Sequence, residues 1–282
     1  MLCPGDETVR STKPMRYKEF RRRFAASLGV ARSLLIYYGI PLRARRLRRF
    51  YAPWIRPGAH CFDIGAHAGN HSRCWRRLGA RVIAVEPQAA FVRILRRLFG
   101  RDPQVVILPI AVGAEETTVP LWISARAPTV STLSSAWIAH RREDASFQGV
   151  EWTRGPDVPV TTLDGLIRRY GAPDFIKIDV EGLEADVLAG LNTAVAALAF
   201  EFIPSARDVA IRCIDRLDEL GCYQFNWSFG EQYRLRSSTW IDADPMRAML
   251  SGLPSNGRSG DVYARLVSRI ENQPRTDTDT HG

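Results

Sequence analysis

Phe62-Asp63-Ile64-Gly65-Ala66-His67-Ala68-Gly69-Asn70-His71-Ser72, followed by Arg81-Val82-Ile83-Ala84-Val85-Glu86-Pro87, is the stretch that decides the fold. A short apolar strand, Cys61–Ile64, runs into a turn that holds Asp63, Gly65 and Gly69. A helix and a second strand, Val82–Val85, follow, and that strand ends on Glu86. In an open parallel sheet, ligands bind beyond the carboxyl ends of the strands, and a glycine-rich first turn lets a ligand approach the backbone. An acid about 20 residues further on is placed to bind ribose hydroxyls. Glu86 lies 21 residues after Gly65. The two segments read as a nucleoside-binding half-domain.

A dinucleotide fingerprint would be G-x-G-x-x-G, whose glycines let a helix N-terminus close on a pyrophosphate. Here His67 takes the place of the second glycine, which disfavours NAD and FAD. S-adenosylmethionine has no pyrophosphate, and its cationic groups suit an acid such as Asp63 at the strand end. Histidine tolerates positive φ better than most side chains, so His67 can hold the turn. The plainer alternative is a βαβ unit whose turn binds nothing.

Charge is unevenly placed. Residues 1–50 hold 13 Lys/Arg against 3 Asp/Glu, and residues 51–282 hold 26 against 27. The basic character therefore belongs to an N-terminal arm rather than to the body, and a generic nucleic-acid-binding body is disfavoured. The five cysteines show no C-x-x-C or Cys/His metal spacing, so no zinc is expected. An odd count without a secretory signal points to a reducing, cytoplasmic setting.

Residues 1–13 read as a polar disordered start and Arg16–Tyr38 as a basic helix too short in apolar run to span a membrane. Gly39 and Pro41 are expected to break it before the second basic stretch, Arg43–Arg49. Residues 1–50 are thus a basic helical extension, packed on the core or touching an anionic membrane surface. Residues 51–270 form the main domain and 271–282 a disordered tail. The body alternates strands and helices, the pattern of a mostly parallel sheet covered on both faces. The expected strands are Cys61–Ile64, Val82–Val85, Val105–Leu108, Thr118–Ile123, Phe175–Ile178, Leu198–Phe202, Tyr223–Trp227 and Asp261–Leu266. The helices fall at His71–Leu78, Ala89–Phe99, Leu163–Tyr170, Leu183–Leu191 and Arg207–Leu220. Ser124–Asp157 reads as a long irregular, lid-like stretch carrying Pro128, Ser131, Thr132, Ser134, Ser135, Trp137 and His140.

A second constellation is Phe175-Ile176-Lys177-Ile178-Asp179-Val180-Glu181-Gly182. Alternation puts Lys177 and Asp179 on one face of the strand's carboxyl end. A lysine among Phe and Ile in a central strand must be paired, with Asp179 and Glu201 as the natural partners. The alternatives are a structural ion pair, or acids placed beside a substrate.

FDIGAHAGN, VIAVEP, Ala111-Val112-Gly113, Thr161–Leu166, Ile176–Leu191 and Phe200–Phe202 together resemble the FkbM family of S-adenosylmethionine-dependent methyltransferases, over about residues 58–205. The resemblance implies a Rossmann-like α/β fold whose seven-stranded sheet has an antiparallel last strand. It implies methyl transfer to a hydroxyl, often on a sugar, glycan or natural-product acceptor. It also implies that Asp63, Gly65, His67, Gly69, Asn70, Glu86 and Ala111 bind the cofactor, and that Asp179 and Glu181 sit on the substrate side.

A hydroxyl's proton must leave during or after attack on an activated methyl, and a carboxylate or histidine can take it. Asp179 and Glu181 are the candidates, with His140 behind them. His67 and His71, four residues apart, lack a third metal ligand in pattern, so no metal is expected. The rivals are an RNA methyltransferase, disfavoured by the neutral body, and a non-catalytic nucleoside-binding module, disfavoured by intact Asp63, Gly65, Gly69 and Glu86.

Overall fold

The computed structural model describes residues 41–124, 132, 133, 138 and 152–267. The expected segments 1–13, Arg16–Tyr38 and Glu271–Gly282 lie outside the described residues, as do Pro128, Ser131, Ser134, Ser135, Trp137 and His140.

Helix α1, Pro41–Tyr51, opens the described chain. Pro41, expected to end a helix, begins one instead, because the first helical turn needs no N–H donor. Leu47 and Tyr51 point inward, and Arg45, Arg46, Arg48 and Arg49 are exposed. After β1, His60–Ile64, come α2, Asn70–Arg77, and β2, Arg81–Val85. Then follow α3, Ala89–Phe99, and β3, Val105–Leu108. Three strands come next: β4, Ala111–Val112, β5, Thr117–Ser124, and β6, Trp152–Thr161. The second half contains α4, Leu163–Tyr170, β7, Phe175–Ile178, α5, Glu184–Ala189, and β8, Ala197–Phe202. The last elements are α6, Arg207–Leu220, β9, Tyr223–Phe229, α7, Ala243–Ser251, and β10, Gly260–Leu266.

Seven strands form one sheet in the order β3-β2-β1-β7-β8-β10-β9. Neighbours from β3 through β8 are parallel, and β10 is antiparallel to both β8 and β9. The fold is therefore the expected α/β, Rossmann-like arrangement. Parallel strands covered on both faces read as continuous apolar runs, as Val82–Val85 and Ala197–Phe200 do. Phe62, Ile64, Ile176, Ile178, Leu198 and Phe200 pack on one side, against α4 to α7. Cys61, Val82, Ala84, Phe175 and Tyr263 pack on the other, with Tyr51, Trp75, Leu95 and Phe99. Among the described residues no helix is long and apolar enough to cross a membrane.

One further expectation needs correction, and one helix is unexpected. The irregular stretch ends earlier than Asp157, because β6 pairs antiparallel with β5 and, briefly, parallel with β4 in a second sheet, β4-β6-β5. Its Pro156 and Pro159 argue against a strand on sequence. Strand β4 covers only Val160 and Thr161, so the prolines fall where one side of β6 has no partner to lose. Helix α7 is absent from the sequence reading altogether. Pro245 lies in its first turn, where proline is tolerated.

The two glycines of the β1 turn serve packing as well as access. A Cβ on Gly65 would lie 1.9 Å from the Asp179 carbonyl oxygen, so only glycine lets β1 and β7 close at their carboxyl ends. A Cβ on Gly69 would lie 2.8 Å from Leu95 and 2.9 Å from Phe99, where α2 starts against α3. Protein, rather than ligand, fills the space that each leaves.

Gly65 and Gly58 have similar positive φ, +81° and +85°, but Gly58 has nothing within 4 Å of its missing Cβ. Gly58→Ala should cost about 1–2 kcal/mol, the penalty of the left-handed backbone alone. Gly65→Ala must also push the central strands β1 and β7 apart and should cost more than about 3 kcal/mol. Urea denaturation reads both, and equal losses would contradict this reading of the β1–β7 contact.

A candidate active site at the carboxyl ends of the strands

A cavity of about 300 Å³ opens where β1, β2, β7 and β8 end. That is the low end of the range for small-molecule sites, and it lies where this architecture binds ligands. Gly65, His67, Asn70, Glu86, Ala111, Asp179 and Glu181 all line it. Thr132 and Leu133 bring the long β5–β6 connection to its wall.

Asp63 and Gly69 do not line it. Asp63 is buried and accepts hydrogen bonds from Ser72 N at 3.0 Å and Ser72 Oγ at 2.5 Å. It secures the first turn of α2, supplying by tertiary contact the side-chain cap that Gly69 cannot. Burial raises the Asp63 pKa against the opposing pull of His71 and Ser72. Both residues shape the turn from behind.

Glu86 is held at the end of β2 by two backbone amides. Gln88 N donates to Oε1 at 2.7 Å and His67 N to Oε2 at 2.9 Å. It is 3 % exposed, and burial pushes its pKa up to about 7 in spite of those donors. His67 adopts φ 48°, as its place in the turn requires, and its ring lies against Phe91 with centroids 3.7 Å apart. Burial lowers the His67 pKa to about 4, so the ring is neutral at physiological pH. His71 is shifted down for the same reason.

Lys177, 1 % exposed, lines the inner part of the cavity. Its Nζ is 2.8 Å from Asp261 Oδ1 and 3.6 Å from Asp179 Oδ2, and it donates to the Ile178 carbonyl at 3.1 Å. Burial works to lower its pKa, but Asp261, Asp179 and Glu201 outweigh that and raise it well above the usual lysine value. The expected partner Glu201 thus contributes charge at longer range, while the closest partner is Asp261. Sequence order hid that contact, because Asp261 arrives on the antiparallel β10, opposite Glu201 of β8. An acid opening an otherwise apolar strand was the signal available. Tyr263 Oη donates to Asp261 Oδ2 at 3.2 Å and completes its environment.

Above the ammonium, carboxylate oxygens of Asp179, Glu181 and Glu201 lie within 4.8 Å of one another. Burial first, then mutual repulsion, raises the pKa values of Glu181 and Glu201 well above the carboxylate range. Like charges this close cannot all ionise in a low-dielectric site. The trio either shares protons or surrounds a cation. Glu181 reaches its place from φ 54°, followed by Gly182 at φ 91°. The buried Glu184 carboxylate accepts from Val180 N at 3.1 Å and Gly182 N at 3.3 Å and fixes that turn.

A model of the methyltransferase FkbM domain family matches residues 63–211. No curated protein matches the chain. Solved structures to which the chain is similar at low identity include the following three. An O-methyltransferase from Bacillus cereus in complex with SAH is 13 % identical, with 87 % of this chain and 90 % of that one covered and a TM-score of 0.41. A TehB-like SAM-dependent methyltransferase from Corynebacterium glutamicum is 11 % identical, with coverages of 90 % and 100 % and a TM-score of 0.41. Aeropyrum pernix fibrillarin with natively bound S-adenosyl-L-methionine is 11 % identical, with coverages of 75 % and 68 % and a TM-score of 0.40.

Burial raises the Glu184 pKa from its usual 4.5 to about 7. A raised carboxyl pKa means that the folded state holds a proton the unfolded state has lost. The associated stability is complete below about pH 4.5 and disappears as pH rises through about 7. Over that window Glu184 should account for on the order of 3 kcal/mol. Glu184→Gln keeps the acceptor oxygen and should flatten the stability–pH profile by that amount in denaturant titrations. Superimposable profiles would contradict the shift.

Proposed function

The chain belongs to the methyltransferase FkbM domain family, and from that premise we propose that it transfers a methyl group from S-adenosylmethionine to a hydroxyl oxygen of a sugar, glycan or natural-product acceptor. The observation that carries this reading is Glu86, a carboxylate held by two backbone amides at the end of β2 on the wall of an acid-lined cavity. Two vicinal ribose hydroxyls can donate to such a group. The cavity also suits a cation: Asp179, Glu181 and Glu201 crowd together, and among the described residues Lys177 is the cation that lines the cavity with them.

Bound S-adenosylmethionine supplies a methyl already activated on a positive sulfur. The residues of the chain then have to align the acceptor oxygen, exclude water and receive a proton. Asp179 is half-buried and anchored at 3.6 Å by Lys177, so its carboxylate is fixed in direction while one edge faces the cavity. It is the proposed proton acceptor. Glu181, whose pKa is raised well above the ordinary value, is the proposed donor of a hydrogen bond that orients the acceptor. Thr132 and Leu133, which also line the cavity, would help to shield the reacting atoms from water.

Calorimetry should show binding of S-adenosylmethionine and S-adenosylhomocysteine but not of NAD. Glu86→Ala should weaken both by on the order of 1.5–3 kcal/mol through loss of charge-assisted hydrogen bonds. NAD binding comparable to that of S-adenosylmethionine would overturn the cofactor reading.

Asp179→Asn separates catalysis from bracing. As proton acceptor, Asp179 should be worth roughly 10²–10⁴ in kcat, with cofactor affinity little changed. Labelled methyl transfer into fractionated glycan, lipid, RNA and small-molecule acceptors provides the assay. Full turnover per folded molecule, with a lowered melting temperature, would make Asp179 only a brace for Lys177.

A further inference from the structure

The near-zero net charge of residues 51–282 conceals a separation of sign along the strand axis. Carboxylates collect at the carboxyl ends of the strands, around the cavity. Arginines collect at the other end. Arg77 closes α2, Arg81 opens β2, Arg96 and Arg97 close α3, and Arg101 precedes β3. The parallel order β3-β2-β1 puts all five at one edge of the same end. Arg48 of α1 adjoins them, since its charge and that of Arg77 both act on the buried Cys74 thiol.

These six side chains are exposed, and none makes an ion pair or hydrogen bond among the described residues. Asp102 and Asp174, the acids beside these strand starts, are already engaged; Asp218 and Glu219, at the end of α6, lie toward the β9 edge of the sheet. Asp102 pairs with Arg76 at 2.8 Å, and Asp174 accepts from His60 N at 2.7 Å. Helix dipoles explain arginines in a last turn, but Arg81 and Arg101 lie outside any helix. Leu98 sits among Arg96, Arg97 and Arg101 and is 43 % exposed; with Leu266 it is one of two exposed large apolar side chains among the described residues.

We propose that this end of the domain docks on an anionic lipid bilayer, with Leu98 entering the headgroup layer inside a ring of arginines. Predominantly positive charge around an exposed aliphatic side chain, with the one neighbouring acid, Asp102, already paired to Arg76, is the combination that such a surface selects. The patch spreads over the ends of several elements instead of lining one groove, and among the described residues it presents no exposed aromatic on which bases could stack, which disfavours single-stranded nucleic acid. The preceding chain adds in the same sense: residues 1–40 carry 8 Lys/Arg against 3 Asp/Glu. Docked this way, the cavity faces away from the bilayer, and the acceptor is taken from the aqueous side.

The test is co-sedimentation of the full chain with phosphatidylserine-containing vesicles, with pure phosphatidylcholine vesicles and, separately, binding to a single-stranded RNA oligonucleotide. Each basic residue near an anionic surface is worth about fivefold in partitioning, and the effect fades with salt over the Debye length. Changing Arg77, Arg81, Arg96, Arg97 and Arg101 to Gln should therefore cut vesicle binding more than about 100-fold at low ionic strength. A control with Arg154, Arg212 and Arg258 changed to Gln should bind within about tenfold of wild type, because those charges lie elsewhere. Leu98→Gln should weaken binding severalfold without altering the salt dependence. Unchanged binding by the five-arginine variant, equal binding to neutral vesicles, no binding by wild type, or capture of RNA in preference to vesicles would each overturn the proposal. Thermal melting of every variant confirms that the comparison is between folded chains.

Discussion

One buried ammonium organises the carboxyl end of this sheet. Lys177 is 1 % exposed, and its ammonium is met by Asp261 at 2.8 Å and Asp179 at 3.6 Å. Such a pair is poor evidence for net stability, because desolvating both ions costs about as much as their attraction returns. Removing one partner is another matter, since a stranded buried charge costs about 3–5 kcal/mol. The pair therefore works as a positional constraint. It ties β7 to β10 across the intervening β8, and it sets where the Asp179 carboxylate stands.

The remaining features of the site follow from that constraint. With one positive charge and several acids, the cavity carries an excess of carboxylates, and burial keeps Glu181 and Glu201 protonated well beyond their usual range. Gly65 allows β1 to close on the backbone of Asp179, so the loop bearing His67 and the strand bearing Asp179 face each other over one small space. Asp63 and Gly69, which a motif reading places against the ligand, hold the start of α2 from behind. Motif residues can thus be required for the geometry of a cavity without lining it.

Much of this is legible in the sequence, and the reasons are physical. Helices Ala89–Phe99, Leu163–Tyr170 and Arg207–Leu220 begin and end where periodicity and flanking residues place them. Strands Val105–Leu108 and Phe175–Ile178 are apolar runs of the length a covered parallel strand needs. The strand-end acids Glu86 and Asp179 announce themselves by following such runs. One misreading, Pro41 as a helix breaker, comes from proline judged without its tertiary setting, since Pro41 starts α1; Pro245 in the first turn of α7 and Pro156 and Pro159 in the mostly one-sided β6 likewise stand where proline is tolerated. Asp261 escapes for a different reason. Its partner is distant in sequence and reaches it through an antiparallel strand order that no local pattern encodes.

The most direct measurement is the number of protons exchanged when S-adenosylmethionine and S-adenosylhomocysteine bind, from calorimetry in buffers of different ionisation enthalpy near pH 7. The two ligands differ by a methyl and a positive charge. A cation entering a crowd of raised-pKa carboxylates lowers those pKa values, so S-adenosylmethionine should release more protons than S-adenosylhomocysteine. Glu181→Gln should reduce the difference. Equal proton release by the two ligands, or proton uptake with the cationic one, would contradict an acid-crowded cavity built around Lys177 to receive a positive group.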